Sequence, residues 1–252
     1  TASICYGRSN RIKILKELRF PNSLGLLYSA FTYYLGFRVN SDEYKVMGLA
    51  AYGDLYSERF ERFKNITREN FIDIKDDDSI KVNQKFFDYS VGLKMVREDL
   101  WEKLFGFPRR QPESEILQEH CDLAFAIQSL TEEIIFLMAK EAKRLTNSNN
   151  LCLGGGVALN CVANGKLLKS GIFDDIWVQP SAGDAGGSLG AALAAYHIYF
   201  NGERKPKKND SMKGSFLGQN FLILMSKRLR ESTKQSTKNT KTLMRCITKL
   251  QS

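Results

Sequence analysis

The stretch that most constrains the fold runs from Asn150 to Ala195, NLCLGGGVALNCVANGKLLKSGIFDDIWVQPSAGDAGGSLGAALAA. It holds two glycine-rich turns, each behind a short apolar or β-prone run and each leading into small, helix-compatible residues. Leu151–Leu153 reads as a buried strand, Gly154–Gly156 as a tight turn and Val157–Leu168 as a helix, because apolar residues recur there at helical spacing. Asp175–Gln179 reads as a second short strand, closed by Pro180. Ser181–Ser188 is then a loop of small residues around one carboxylate, Asp184, and Leu189–Tyr199 is an apolar, alanine-rich helix.

Glycines between a strand and a helix let the backbone approach a ligand closely, and the helix amino terminus offers unpaired N–H groups to an anion. A nucleotide phosphate or ribose is the natural guest. A single glycine run would be better explained by a sharp turn and tight helix-on-sheet packing. Two runs within about thirty residues, the second carrying a lone acid, favour a site. Neither turn fits the stricter phosphate fingerprints. There is no Gly-x-x-x-x-Gly-Lys-Ser/Thr, and the run from Gly154 is not Gly-x-Gly-x-x-Gly, since its sixth residue is Leu159.

The chain has 252 residues, 43% of them apolar, enough for a real core in one large domain or two small ones. A formal charge of +9 suggests nucleic acid, but the excess is local. Residues 201–252 carry 13 basic and 3 acidic side chains, which leaves the first 200 residues with 24 and 25. The body is near neutral and nucleic acid is not an expected partner. The cysteines Cys5, Cys121, Cys152, Cys161 and Cys246 are odd in number, widely spaced and without a Cys-x-x-Cys pair, so they read as reduced, partly buried thiols rather than a disulfide frame or zinc site. No stretch approaches transmembrane length and the amino terminus lacks a signal-peptide pattern, which predicts a cytoplasmic protein with no membrane partner.

Along the chain, Ala2–Tyr6 and Arg11–Phe20 read as extended segments joined by Gly7–Asn10. Ser23 is placed to cap an aromatic-rich helix over Leu26–Leu35 that Gly36 ends, and Asn40 or Ser41 to cap the next, through SDEYKVMGLAAYG. Glu43 and Lys45 in that helix could stand at the mouth of a nucleotide cleft, but a solvated charged start is the better-supported reading. Residues 54–112 are charged and irregular and read as a variable insertion with short strands and helices; its Asp76-Asp77-Asp78 run is given no role. Ser114 is expected to open a long amphipathic helix to about Leu145. His120 reads as a surface or capping residue on its charged first part, and His197 as structural. Beyond Asn201 the only compact apolar run is Phe221–Met225, and residues 226–242 cannot easily bury a face, so disorder or a frayed helix is expected there.

Three long ungapped stretches carry a resemblance: PNSLGLLYSAFTYYLGFRVNSDEYKVMGLAAYG, DLAFAIQSLTEEI, and LCLGGGVALNCVANGKLLKSGIFDDIWVQPSAGDAGGSLGAALAAYH. Together they closely resemble the NodU/CmcH family of ATP-dependent O-carbamoyltransferases, over most of the chain to about Gly218. The resemblance implies an α/β fold of the actin-like ATPase, ribonuclease-H-like type. It also implies transfer of a carbamoyl group from carbamoyl phosphate, by way of a carbamoyl adenylate made with ATP, to the hydroxyl of a small-molecule acceptor. A divalent metal, iron(II) or magnesium, is implied near the phosphate. Carried over residue by residue, Gly154, Gly155, Gly156 and Asn160, with Gly183 from the second turn, would line the nucleotide, and Asp184 would be the carboxylate ligand of the metal.

The departures bear on the same expectations. The family's opening aspartate-containing phosphate turn and its histidine pair are not in this chain, which leaves Asp184 as the one plausible metal ligand. Ala51 stands where the family usually has proline, and Gly154 where it usually has alanine. The expected organisation is therefore a partial actin-like carbamoyltransferase domain over residues 1–218, incomplete in front, and a basic low-complexity tail over 219–252. The break at about Gly218 leads to the expectation of an internal piece of a carbamoyltransferase whose tail is read from a shifted or unrelated frame. Two other readings stand beside it: a sugar-kinase-like enzyme of the same fold, for which no carboxylate is clearly placed as base, and a non-catalytic nucleotide-binding module.

Overall fold

One helix, α5 (Gln118–Thr146), runs through the molecule, and the other elements are laid against it in two groups. A computed structural model describes residues 2–75, 79–205, 210 and 212. The chain divides into two units, Thr1–Lys205 and Pro206–Ser252, and only Asp210 and Met212 of the second are among the described residues. The Asp76-Asp77-Asp78 run, Phe221–Met225, Cys246 and the expected disorder over 226–242 lie outside the described residues.

In chain order, β1 (Ala2–Arg8) and β2 (Arg11–Leu18) form an antiparallel hairpin, with Ser9 at positive φ in the turn. Helix α1 (Leu24–Tyr34) follows, its first turn held by Leu26 N–H donating to Ser23 Oγ at 3.2 Å, so the expected cap is the observed one. Helix α2 (Glu43–Leu49) is preceded by Asp42, not by Asn40 or Ser41 as its cap. Asn40 instead takes a positive φ, and the buried Asp42 carboxylate accepts from Arg38 N at 3.2 Å and Lys45 Nζ at 3.1 Å. The charged stretch 54–112 folds as α3 (Glu58–Ile66), the short antiparallel pair β3 (Ile72–Ile74) and β4 (Ile80–Val82), and α4 (Glu98–Phe105).

The first group is an aromatic core. Phe31 and Tyr34 of α1 meet Trp101 of α4 at ring separations of 4.8 and 5.0 Å, and Phe71 stacks on Trp101 at 4.5 Å. The Trp101 indole N–H donates to Phe86 O at 2.9 Å, which satisfies the one polar atom the burial would strand. Leu123, Ile127, Leu130 and Ile134 of α5 close this core from the other side. The helix starts at Gln118, four residues later than Ser114. Ser114 is occupied elsewhere: its carbonyl accepts from Arg110 Nη1, and Glu113 beside it has a positive φ that breaks any helix.

The second group packs on the far half of α5. Strand β5 (Asn150–Leu153), helix α6 (Cys161–Lys169) and strand β6 (Asp175–Val178) make a strand, helix, strand unit whose strands pair in parallel, Leu151 opposite Ile176 and Leu153 opposite Val178. Ala139 of α5, Leu167 of α6 and Phe173 bury together here. Helix α7 (Gly187–Ala194) and the wider turn Ala195–Tyr199 follow, and none of their residues is buried. The described residues are thus a mixed α/β arrangement of three two-stranded sheets and helices. No helix among them is long and apolar enough to cross a membrane.

Candidate nucleotide site

Both glycine turns leave the same ends of the parallel strands. The first follows β5 and the second follows β6, so each lies at a carboxyl end, where ligands bind in open α/β sheets. Two backbone bonds hold the turns side by side: Gln179 N donates to Leu153 O at 3.1 Å, and Gly155 N donates to Ala182 O at 2.7 Å. Sequence spacing gave two separate turns; the parallel register makes one surface of them.

Within that surface the glycines differ in why they are glycine. Gly155 sits at φ 94°, ψ 163°, a region open only to a residue without a Cβ. Gly154, Gly156 and Gly183 have no such backbone demand, and a Cβ built on any of them would meet nothing within 4 Å. Packing inside the chain therefore does not call for glycine at those positions.

The expected helix over Val157–Leu168 is broken in two. Gly156–Leu159 is a short 3-10 turn, Asn160 interrupts it at ψ 86°, and α6 begins at Cys161. The reason is local: Asn160 Oδ1 accepts from Ala163 N at 3.1 Å and so acts as the amino-terminal cap of α6. The same side-chain amide pairs reciprocally with Gln128 of α5, donating from Nδ2 to Gln128 Oε1 at 2.9 Å and accepting from Gln128 Nε2 at 3.1 Å. Gln128 is buried at 2% exposure and also accepts from Tyr28 Oη at 3.0 Å and donates to Glu132 Oε1 at 2.9 Å. Burial first, then the nearby Glu43 and Glu132 carboxylates, pushes the Tyr28 hydroxyl well above its usual range and keeps it a donor. Gln128 was not singled out in the sequence, where it reads as one polar residue in an amphipathic helix.

Asp184 opens the short turn after Gly183; its carbonyl accepts from Gly187 N, and its exposed side chain makes no hydrogen bond or ion pair to a described residue. Two residues before it, Ala182 O accepts from Gly155 N of the first glycine turn. Among the described residues no group of three His, Cys, Asp or Glu side chains comes together. The residues present therefore do not make a metal site, and no chemical step is derived through a metal here.

Glu43 and Lys45 take the structural reading. Glu43 Oε1 accepts from Ser29 Oγ and Asn40 N, both at 2.8 Å, and Lys45 pairs with Asp42. His120 is the cap of α5: its Nδ1 accepts from Leu117 N at 2.9 Å, and the ring is buried against Phe107. It is a capping residue, not a surface one. His197 Nδ1 lies 3.2 Å from Gly202 O on the stretch after α7.

Comparison with known proteins adds the following. The family described as Carbamoyltransferase N-terminus matches residues 1–193. A Synechocystis protein named "Uncharacterized protein sll1178" is 47% identical over 221 residues, 88% of this chain and 35% of that one. The Bradyrhizobium diazoefficiens nodulation protein NolO is 40% identical over 182 residues, 71% of this chain and 30% of its own. The Sinorhizobium fredii nodulation protein NolNO is 39% identical over 190 residues, 75% of this chain and 25% of its own. The chain thus spans between a quarter and about a third of the length of these relatives.

Proposed function

The chain belongs to the carbamoyltransferase family through the amino-terminal domain of that family, and from this premise we propose that its paired glycine turns seat the nucleotide in an ATP-dependent O-carbamoyl transfer. The fold proposed for the whole is the actin-like ATPase type. The donor is carbamoyl phosphate: water releases its phosphate, the resulting carbamate oxygen bonds to the α-phosphorus of ATP as pyrophosphate leaves, and the carbamoyl adenylate so formed meets a hydroxyl-bearing small-molecule acceptor. In the transfer step the acceptor oxygen bonds to the carbamoyl carbon, the bond from that carbon to the adenylate phosphate oxygen breaks, AMP leaves, and the hydroxyl proton passes to a base. No described residue is assigned as that base.

The roles of this chain's residues follow from their geometry. Gly154, Gly156 and Gly183 offer backbone against which a phosphate or ribose can lie without a side chain intervening. Gly155, pinned by its bond to Ala182 O, holds the two turns in register. The resemblance alone proposes Asp184 as an oxygen ligand of a divalent cation, iron(II) or magnesium; the described residues supply no companion ligands, and no step is assigned to such an ion.

The observation that carries the reading is the open space over three glycines on one strand-end surface. Its test is Gly183→Val in an ATP titration by calorimetry. A Cβ added there meets nothing within 4 Å and the position lies partly exposed at the surface, so the melting temperature should hold, the change in stability staying within about 1 kcal/mol. ATP affinity should fall below detection. Unchanged affinity would remove Gly183 from the site.

A further inference from the structure

We propose that Gln128 is a positioning residue for the site: its side-chain amide clasps Asn160 and thereby fixes the glycine turn 154–160 against the long helix. All four of its hydrogen-bonding positions are used in the fold. Oε1 accepts from Tyr28 Oη at 3.0 Å and Asn160 Nδ2 at 2.9 Å; Nε2 donates to Asn160 Oδ1 at 3.1 Å and Glu132 Oε1 at 2.9 Å. Glu132 is in turn paired with Lys166 of α6, so a second contact ties the helix that follows the turn to α5. A fully satisfied buried network of this kind specifies one arrangement, whereas losing one partner strands the others.

Asn160 itself has little left to offer a ligand. Its Oδ1 serves both Ala163 N and Gln128, and one Nδ2 hydrogen is spent on Gln128. Its contribution is to end the 3-10 turn and start α6 at a fixed place, and Gln128 sets that place. Gln128 does not touch the surface of the turn, so it acts through Asn160. The effect on nucleotide rests on the binding role proposed above; the effect on the turn does not.

Two measurements separate these. First, ATP affinity is determined calorimetrically for the unaltered chain, Gln128→Leu, Asn160→Ala and the double variant. Gln128→Leu should weaken ATP about tenfold, and should cost nothing further once Asn160 is alanine. A residue that only supports the fold would instead add its loss to that of Asn160→Ala. Second, amide hydrogen exchange over residues 154–160 is followed without nucleotide. It should quicken about tenfold in Gln128→Leu while the rest of α5 keeps its protection. If Gln128→Leu does not fold, Asn160→Asp carries the same expectation, since it keeps the α6 cap and turns the bond from Nδ2 to Gln128 Oε1 into a repulsion between two acceptors. Unchanged exchange in the turn, or additive losses in the cycle, would overturn the proposal. Quickened exchange in a protein whose unaltered form binds no ATP would sink the nucleotide role and leave the clasp standing.

Discussion

Gly155 is the residue on which the site's geometry turns. Its φ of 94° with ψ of 163° is a backbone state essentially confined to glycine, and its N–H is spent on Ala182 O. Gly155→Ala should therefore cost about 1–3 kcal/mol in denaturant unfolding, because the turn must either hold a strained alanine or let go of the second turn. The neighbouring Gly154→Ala, with no positive φ and nothing within 4 Å of the added Cβ, is the control and should be nearly silent in stability. Equal costs for the two would contradict the distinction. This distinction was not legible in the sequence, where Gly154-Gly155-Gly156 is a uniform run. Only the strand register, which brings Ala182 over Gly155, tells the middle glycine from its neighbours.

At the scale of elements, legibility followed how local the cause was. The Ser23 cap rests on neighbours within a few residues, and the structure has it, the hairpin strands and the strands β5 and β6 within a residue or two of their expected bounds; β5, expected to be buried, alternates exposed and half-buried residues. The break at Asn160 and the late start of α5 were not legible. At Asn160 a local cap on Ala163 N is joined by the distant Gln128, and at Ser114 the cause is near but is a side chain, Arg110, engaging a carbonyl, which apolar spacing does not show. The stretch 54–112 was hidden by its charge: Phe60, Phe63, Phe71, Phe87, Trp101 and Phe105 are scattered among charged residues, yet each is buried. Trp101 is the joint of that packing, meeting rings from α1, α4 and the segment after α3. Trp101→Ala should cost about 3–5 kcal/mol, read as a loss of cooperative unfolding in the near-ultraviolet circular dichroism. A loss below about 1 kcal/mol would show that this segment folds apart from α1.

For the molecule as a whole, His120 and Glu141 are among the buried groups that favour the deprotonated form in the fold, with Asp42 acting in the same direction as Glu141. Burial holds the His120 imidazole below its ordinary value; Glu119 works against this and Arg110 with it. The neutral ring also supplies the acceptor for Leu117 N, which protonation would remove. A group lowered in the folded state contributes stability above its unfolded value, and this contribution is lost as pH falls through its folded one, so the His120 contribution declines below about pH 6.5. Glu141 is held down to about 2, chiefly by Arg144, with Lys16 of the hairpin adding to it. Its contribution is full above the ordinary carboxylate value and fades as pH falls from about 4.5 toward 2. Melting temperature against pH should therefore fall in two windows. His120→Asn, whose Oδ1 can keep the cap without titrating, should flatten the upper one, and Glu141→Gln the lower one. An upper window unchanged in His120→Asn would assign it to another group.

The measurement that tests the central claim most directly is amide hydrogen exchange of the intact chain with and without saturating ATP. The account predicts that protection gained on binding is confined to two short peptides, residues 154–160 and 180–187. The aromatic core around Trp101 should stay as it was. Protection elsewhere, with both turns unchanged, would contradict the account and place the nucleotide on another surface.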